Sequence, residues 1–205
     1  MKRVFAAMIG AALCAGVCVR HAAADGKEQT MPGKIEGRKV LMVIASHDFR
    51  DEEFEKPFDI LKKAGAEVRV ASSATGKVVG ALGRVVEPDL ALSSARGADW
   101  DAVVFVGGPG ASEYFDDPDA HRLAREAAEG GKVLGAICIA PAILANAGVL
   151  NGRKAVCFPS VSGMLKAGGA ALGERNVERD GKIVTAAGPQ AAAEFGQALV
   201  AALKQ

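Results

Sequence analysis

Cys138 is the residue in this sequence best placed to act as a nucleophile. An apolar run over 132–137 leads into it, and a helical segment over 140–147 follows at once. A residue at such a strand-to-helix turn projects from the sheet edge. The unpaired N–H groups and positive dipole end of the helix then face its sulfur, which lowers a thiol pKa. Gly135, Ala136 and Ala140 are small enough for the turn to close, as in the nucleophile elbow of hydrolases. A buried cysteine with a purely structural role is the competing reading. The Gly107-Gly108 turn ends another strand, and its backbone N–H together with that of Ile139 could bind an oxyanion. His47, at the end of the first predicted strand, could reach the same edge, and imidazole suits acid-base work near neutral pH. An exposed loop histidine is the alternative. His121 sits in a predicted helix away from that edge.

The elements that must position these residues follow one pattern. Nearly unbroken apolar runs at 39–45, 101–106, 132–137 and 183–186 have the composition of strands buried on both faces of a parallel sheet. Further strands are expected at 67–72 and 154–158, and short β-like pieces over 75–95. Helices are predicted over 51–64, 118–129 (capped by Asp117, with proline in the first turn), 140–147, 160–167 and 190–203. Alternating β and α elements predict an α/β fold, a doubly wound, flavodoxin-like, mostly parallel sheet with helices on both faces. In such sheets ligands sit outside the carboxyl ends of the strands. Segments 46–53, 107–111, 138–139 and 158–160 all reach that edge. On strand 154–158 neighbouring side chains alternate, so if Phe158 faces the site Cys157 faces away. A buried Cys157 is therefore favoured over a disulfide to Cys138.

The N-terminus has a different composition. Lys2 and Arg3 precede an apolar stretch over 4–19, and Ala22-Ala23-Ala24 has the small-residue spacing a signal peptidase reads. The expectation is a signal peptide over 1–24, cleaved after Ala24. The apolar run is too short for the roughly 20 residues that span a bilayer, so no stable membrane anchor remains after cleavage. Residues 25–37 read as a flexible segment and 38–205 as the α/β domain. Cleavage removes Lys2, Arg3 and Arg20 but no acid, moving the formal charge from +1 to −2 and leaving Cys138 and Cys157 as the only cysteines. In a periplasmic or secreted setting those two could pair, and their spacing neither requires nor forbids it. A near-neutral chain offers no electrostatic case for nucleic acid. Two cysteines and two histidines far apart form no metal-ligand pattern, and no cofactor is implied.

Four motifs carry a resemblance to a known family. Phe49-Arg-Asp-Glu-Glu-Phe-Glu-Lys-Pro57, Val106-Gly-Gly-Pro-Gly-Ala111, Ala136-Ile-Cys-Ile-Ala-Pro141 and Thr185-Ala-Ala-Gly-Pro189 occur in the order and spacing of the ThiJ/PfpI family, within the class I glutamine amidotransferase-like superfamily. The resemblance covers roughly 38–204. It implies that Cys138 is the family nucleophile, that Glu53 is the glutamate touching its sulfur, and that Gly108 and Ile139 supply the oxyanion-binding amides. It also implies a homodimer, that being common in the family. A protonated Glu53 could donate a hydrogen bond to the thiolate. As a plain first-turn acid Glu53 would instead only favour the helix dipole, a role that suits Asp51 and Glu52 better. Gly107, Phe158, Pro159 and His47 are placed at the rim.

Two departures stand out. Protease-like members have a histidine directly after the nucleophile, where this chain has Ile139. The deglycase branch has one before a later proline, where this chain has Phe158 before Pro159. Loss of a general base costs about 10²–10⁴-fold, which argues against peptidase activity. The resemblance therefore implies action on small reactive carbonyls or their adducts, glyoxalase- or deglycase-like, in stress protection. The alternatives are a non-catalytic redox-responsive or chaperone-like protein in which an oxidant converts Cys138 to sulfinic acid, and a binding module that holds a ligand without turning it over.

Overall fold

A computed structural model describes residues 34–205 of the chain. The expected signal segment and the greater part of 25–37 lie outside the described residues. Ile35 belongs to the packed body: it is buried, and its amide donates to the Ala64 carbonyl at 2.8 Å.

The strands are β1 (Lys39–Val43), β2 (Glu67–Ser72), β3 (Val78–Val79), β4 (Val85–Val86), β5 (Leu90–Ala91), β6 (Ala102–Phe105), β7 (Val133–Ile137), β8 (Lys154–Ala155), β9 (Ala171–Leu172), β10 (Val177–Asp180) and β11 (Ile183–Ala186). The helices are α1 (Asp51–Lys63), α2 (Pro118–Glu129), α3 (Pro141–Asn146), α4 (Ser162–Ala167) and α5 (Ala192–Leu203). Seven strands form the central sheet in the order β10-β11-β7-β6-β1-β2-β5. All its pairings are parallel except β10 with β11. The order β2-β1-β6-β7-β11 is the flavodoxin-like doubly wound arrangement, with its switch point between β1 and β6.

The apolar runs explain the sheet's central position. Every residue of β6, β7 and β11 is buried, which requires cover on both faces. α1 and α5 pack together, with α5 also against β7 and β11, while α2 packs on β6, β7 and α3. Asp117 caps α2 as expected, accepting from the Ala120 amide at 2.8 Å. Among the described residues no helix is long and apolar enough to cross a membrane.

Two sequence expectations differ from the structure. The strand expected over 154–158 shortens to β8, which pairs with β9 outside the central sheet. The amides beyond it are taken by other partners: Val156 N–H donates to Thr185 Oγ1 and Phe158 N–H to the Cys138 carbonyl. β10 was not expected. It pairs with β11 across a two-residue turn at Gly181-Lys182, with Gly181 at φ +62°. A glycine at the first position of a two-residue turn is a hairpin signal in the sequence itself.

Candidate functional site

The switch point brings together the segments that follow β1, β6 and β7. Cys138 comes directly after β7, at φ +64°, in the left-handed region that non-glycine residues rarely occupy. Such a conformation costs about 1–3 kcal/mol and persists only when its surroundings over-determine it. Here the Cys138 amide donates to the Ala186 carbonyl at 2.9 Å, and its own carbonyl accepts from the Phe158 amide at 2.8 Å. The elbow is thus clamped between the end of β11 and the segment after β8.

Glu53 lies in the first turn of α1 and is fully buried. Neither carboxyl oxygen has a hydrogen-bond partner of good geometry. Its nearest polar neighbours are the Cys138 thiol and the Gly107 amide. Gly107 occupies the point where the two side chains meet: a Cβ there would overlap the Glu53 carboxyl and stand 2.6 Å from the Cys138 Cβ. Gly108, at φ +101°, lies so close to the 48–50 backbone that any side chain would collide with it. These contacts, rather than a plain need for a turn, account for the Gly-Gly pair.

Burial pushes the Glu53 carboxyl from 4.5 up to about 7, although the neighbouring thiol lowers it somewhat. The expected lowering of the thiol by a helix N-terminus is outweighed. Burial first, and then the Glu53 charge, push Cys138 up to about 12, while the Gly108 and Ile139 amides pull it down. The short helix α3 begins only at Pro141, so the sulfur is served by those two amides rather than by a long dipole. The two side chains form one proton-sharing pair. Ionised Glu53 opposes a thiolate, whereas neutral Glu53 removes that repulsion and can donate to the sulfur.

The other acids of the first turn have separate partners. Asp51 is buried and accepts from the Leu82 and Arg84 amides at 2.8 and 2.7 Å, holding the β3–β4 hairpin. Glu52 forms a two-point pair with Arg50, at 2.8 and 3.2 Å.

A pocket of about 230 Å³ opens over Cys138, lined also by Arg50, Glu53, Gly108, Pro109, Ile139, Phe158, Ser160 and Pro189. Sequence reasoning brought Cys138, Glu53, Gly108, Ile139 and Phe158 to one place, and the structure brings the same residues together. It does not bring His47. That imidazole faces solvent and meets Asp48 at 3.1 Å, outside the pocket lining. The backbone there makes an isolated bridge from His47 to Val79 of the β3–β4 hairpin. Pro159 also lies outside the lining; its neighbour Ser160 takes the place. Arg50 and Pro189 were missed as lining residues, although both fall inside the quoted motifs. His121 bonds the Phe115 carbonyl at 2.8 Å in α2. Cys157 is a free, buried thiol, as is Cys138, and burial raises its pKa to about 11. Among the described residues no group of three histidine, cysteine or acidic side chains could hold a metal ion.

A doubly wound sheet with a strained cysteine elbow facing a buried glutamate defines a flavodoxin-like α/β protein with a candidate nucleophile at its switch point. The chain belongs to the DJ-1/PfpI family, which it matches over residues 38–202. It is 35% identical to the protein MJ0967 of Methanocaldococcus jannaschii, over all of this chain and 98% of that one. It is 33% identical to deglycase PH1704 of Pyrococcus horikoshii over 74% of this chain and 90% of the relative. Among solved structures, a ThiJ/PfpI domain protein from Brachyspira murdochii superposes with a TM-score of 0.80 at 32% identity, covering 82% of this chain and 98% of that one.

Proposed function

We propose that this protein is a cysteine-dependent, glyoxalase-like enzyme acting on small α-oxoaldehydes, with Cys138 as nucleophile and Glu53 as the sole acid-base group. The carrying observation is the buried, unpartnered Glu53 carboxyl beside the thiol, with a pKa of about 7. A group poised there is suited to take and return protons at neutral pH. In addition to this chain's own geometry, relatives named glutathione-independent glyoxalase (DJR-1.2 of Caenorhabditis elegans, 29% identical) and deglycase support the reading.

The steps follow from the geometry. Ionised Glu53 takes the thiol proton as Cys138 Sγ bonds to the aldehyde carbon, and the Gly108 and Ile139 amides hold the oxygen on which charge develops. Glu53 returns that proton to the oxygen, giving a hemithioacetal. It then removes the proton from the former aldehyde carbon and delivers it to the neighbouring carbonyl carbon through an enediolate, while the hydroxyl proton passes to the oxygen on that neighbouring carbon, leaving an α-hydroxy thioester. Water cleaves the thioester, releasing the α-hydroxy acid and restoring the thiol. One aldehyde and one water give one acid, with no external oxidant or reductant.

The test is lactate formation from methylglyoxal by the full chain. Cys138→Ser should abolish it and Glu53→Gln should reduce it about 10²–10⁴-fold. Lactate formed equally well by Cys138→Ser would refute the assignment. The absence of any histidine from the pocket lining favours a second reading, in which peroxide oxidises Cys138 to sulfinic acid and the same amides hold its oxygens. Its mark is two oxygen atoms added by peroxide to the full chain but not to Cys138→Ser, with no lactate formed. We also propose that the chain is exported with cleavage after Ala24, on the basis of Lys2, Arg3 and the apolar stretch over 4–19; N-terminal sequencing of the secreted chain checks it.

A further inference from the structure

Phe158 is one of only four large apolar side chains substantially exposed among the described residues, at 43%, and the only one of the four that lines the pocket over Cys138. Its position is fixed relative to the sulfur, because its amide donates to the Cys138 carbonyl at 2.8 Å. Its ring stands over Gly188, with Cδ2 3.6 Å from where a Cβ on that glycine would sit. Ile139, Pro109 and Pro189 add apolar surface to the same pocket. Arg50 is the only cationic side chain in the lining, and its Nε and one terminal nitrogen are engaged by Glu52. An exposed ring held beside a nucleophile remains solvated until a substrate covers it, and covering apolar surface is favourable.

We propose that Phe158 is a specificity-determining residue, and that the pocket selects uncharged α-oxoaldehydes whose substituent is apolar, aryl or branched alkyl, over glyoxal. This rests on the glyoxalase-like reading. With the aldehyde carbon at Cys138 Sγ and its oxygen at the Gly108 and Ile139 amides, the proposal sets the substituent on the neighbouring carbonyl against the Phe158 ring, which lines the same pocket. At about 230 Å³ the pocket falls below the size range of sites for drug-sized ligands, so it suits a compact aryl group rather than a sugar or peptide chain.

The experiment compares kcat/KM for glyoxal, methylglyoxal and phenylglyoxal in the full chain, in Phe158→Ala and in Phe158→Leu. Each value is normalised to the rate at which that aldehyde adds to N-acetylcysteine, which removes intrinsic reactivity. Phenylglyoxal should exceed glyoxal by at least about tenfold, the scale on which an apolar pocket discriminates. Phe158→Ala should lower the phenylglyoxal-to-glyoxal ratio about tenfold, mainly through KM, and Phe158→Leu should recover part of it. Turnover of glyoxal and phenylglyoxal with equal normalised efficiency, or a ratio unchanged in Phe158→Ala, overturns the inference while leaving the glyoxalase reading intact. No turnover of any of the three aldehydes overturns both.

Discussion

Replacing Glu53 by glutamine should change how stability depends on pH, by an amount the structure allows to be worked out. The carboxyl has a pKa of 4.5 when exposed and about 7 in the folded protein, raised chiefly by burial. A raised folded-state pKa means that the native state holds the proton more tightly than the unfolded chain. The favourable contribution is therefore fully present below pH 4.5 and is lost as pH rises through about 7. At 1.36 kcal/mol per pKa unit, the loss amounts to about 3 kcal/mol. Cys138, pushed up to about 12, does not titrate in this window. Glutamine keeps the shape and carries no ionisation, so its variant should lack this loss. The assay is urea unfolding of wild type and Glu53→Gln at several pH values between 4 and 8.5. The difference in unfolding free energy between the two should shift by about 3 kcal/mol in favour of the variant across that range. Titrating groups not coupled to Glu53 cancel in the comparison. Parallel curves would refute the claim that Glu53 is held against ionisation, and with it the base assigned to the mechanism.

The remaining predictions address neighbouring parts of the site. Lactate formation should rise with pH through about 7 as Glu53 ionises, a rise absent from the residual activity of Glu53→Gln; stopped-time product assays at fixed ionic strength check it. Gly107→Ala forces a methyl group between Glu53 and Cys138 and should destabilise the fold by about 1–3 kcal/mol in urea unfolding while nearly eliminating turnover. Asp51→Ala removes the acceptor for two hairpin amides and should cost about 3 kcal/mol by the same measurement, two hydrogen bonds to a charged group being at stake. His47→Ala should leave kcat/KM within about twofold, since that imidazole faces solvent away from the pocket; a larger fall in the methylglyoxal assay would restore it to the machinery.

How much of this protein could be read from the chain depends on how local each signal is. Burial on both faces leaves a one-dimensional mark, an unbroken apolar run, so β1, β6, β7 and β11 and the doubly wound fold were legible from 39–45, 101–106, 132–137 and 183–186. The cap and proline of α2 were equally local. The elbow at Cys138 and the Gly-Gly pair were visible too as small residues at strand ends, although a plain turn or a structural cysteine would leave the same local mark. Tertiary structure decided what those residues experience. The sequence placed a helix N-terminus beside Cys138 and pointed to a lowered pKa, but burial and the Glu53 charge act in the opposite direction and are stronger, since desolvation depends on everything that packs around a group. His47 and Phe158 show the same limit. Both belong to segments that reach the carboxyl edge of the sheet, yet His47 bridges to Val79 and faces solvent, while a hydrogen bond to the Cys138 carbonyl holds Phe158 at the pocket. Pattern along the chain thus determined the sheet and the presence of the thiol. Contacts between segments far apart in sequence decided the carboxyl that faces it and the side chains that line its pocket, because desolvation and close approach are properties of the packed whole.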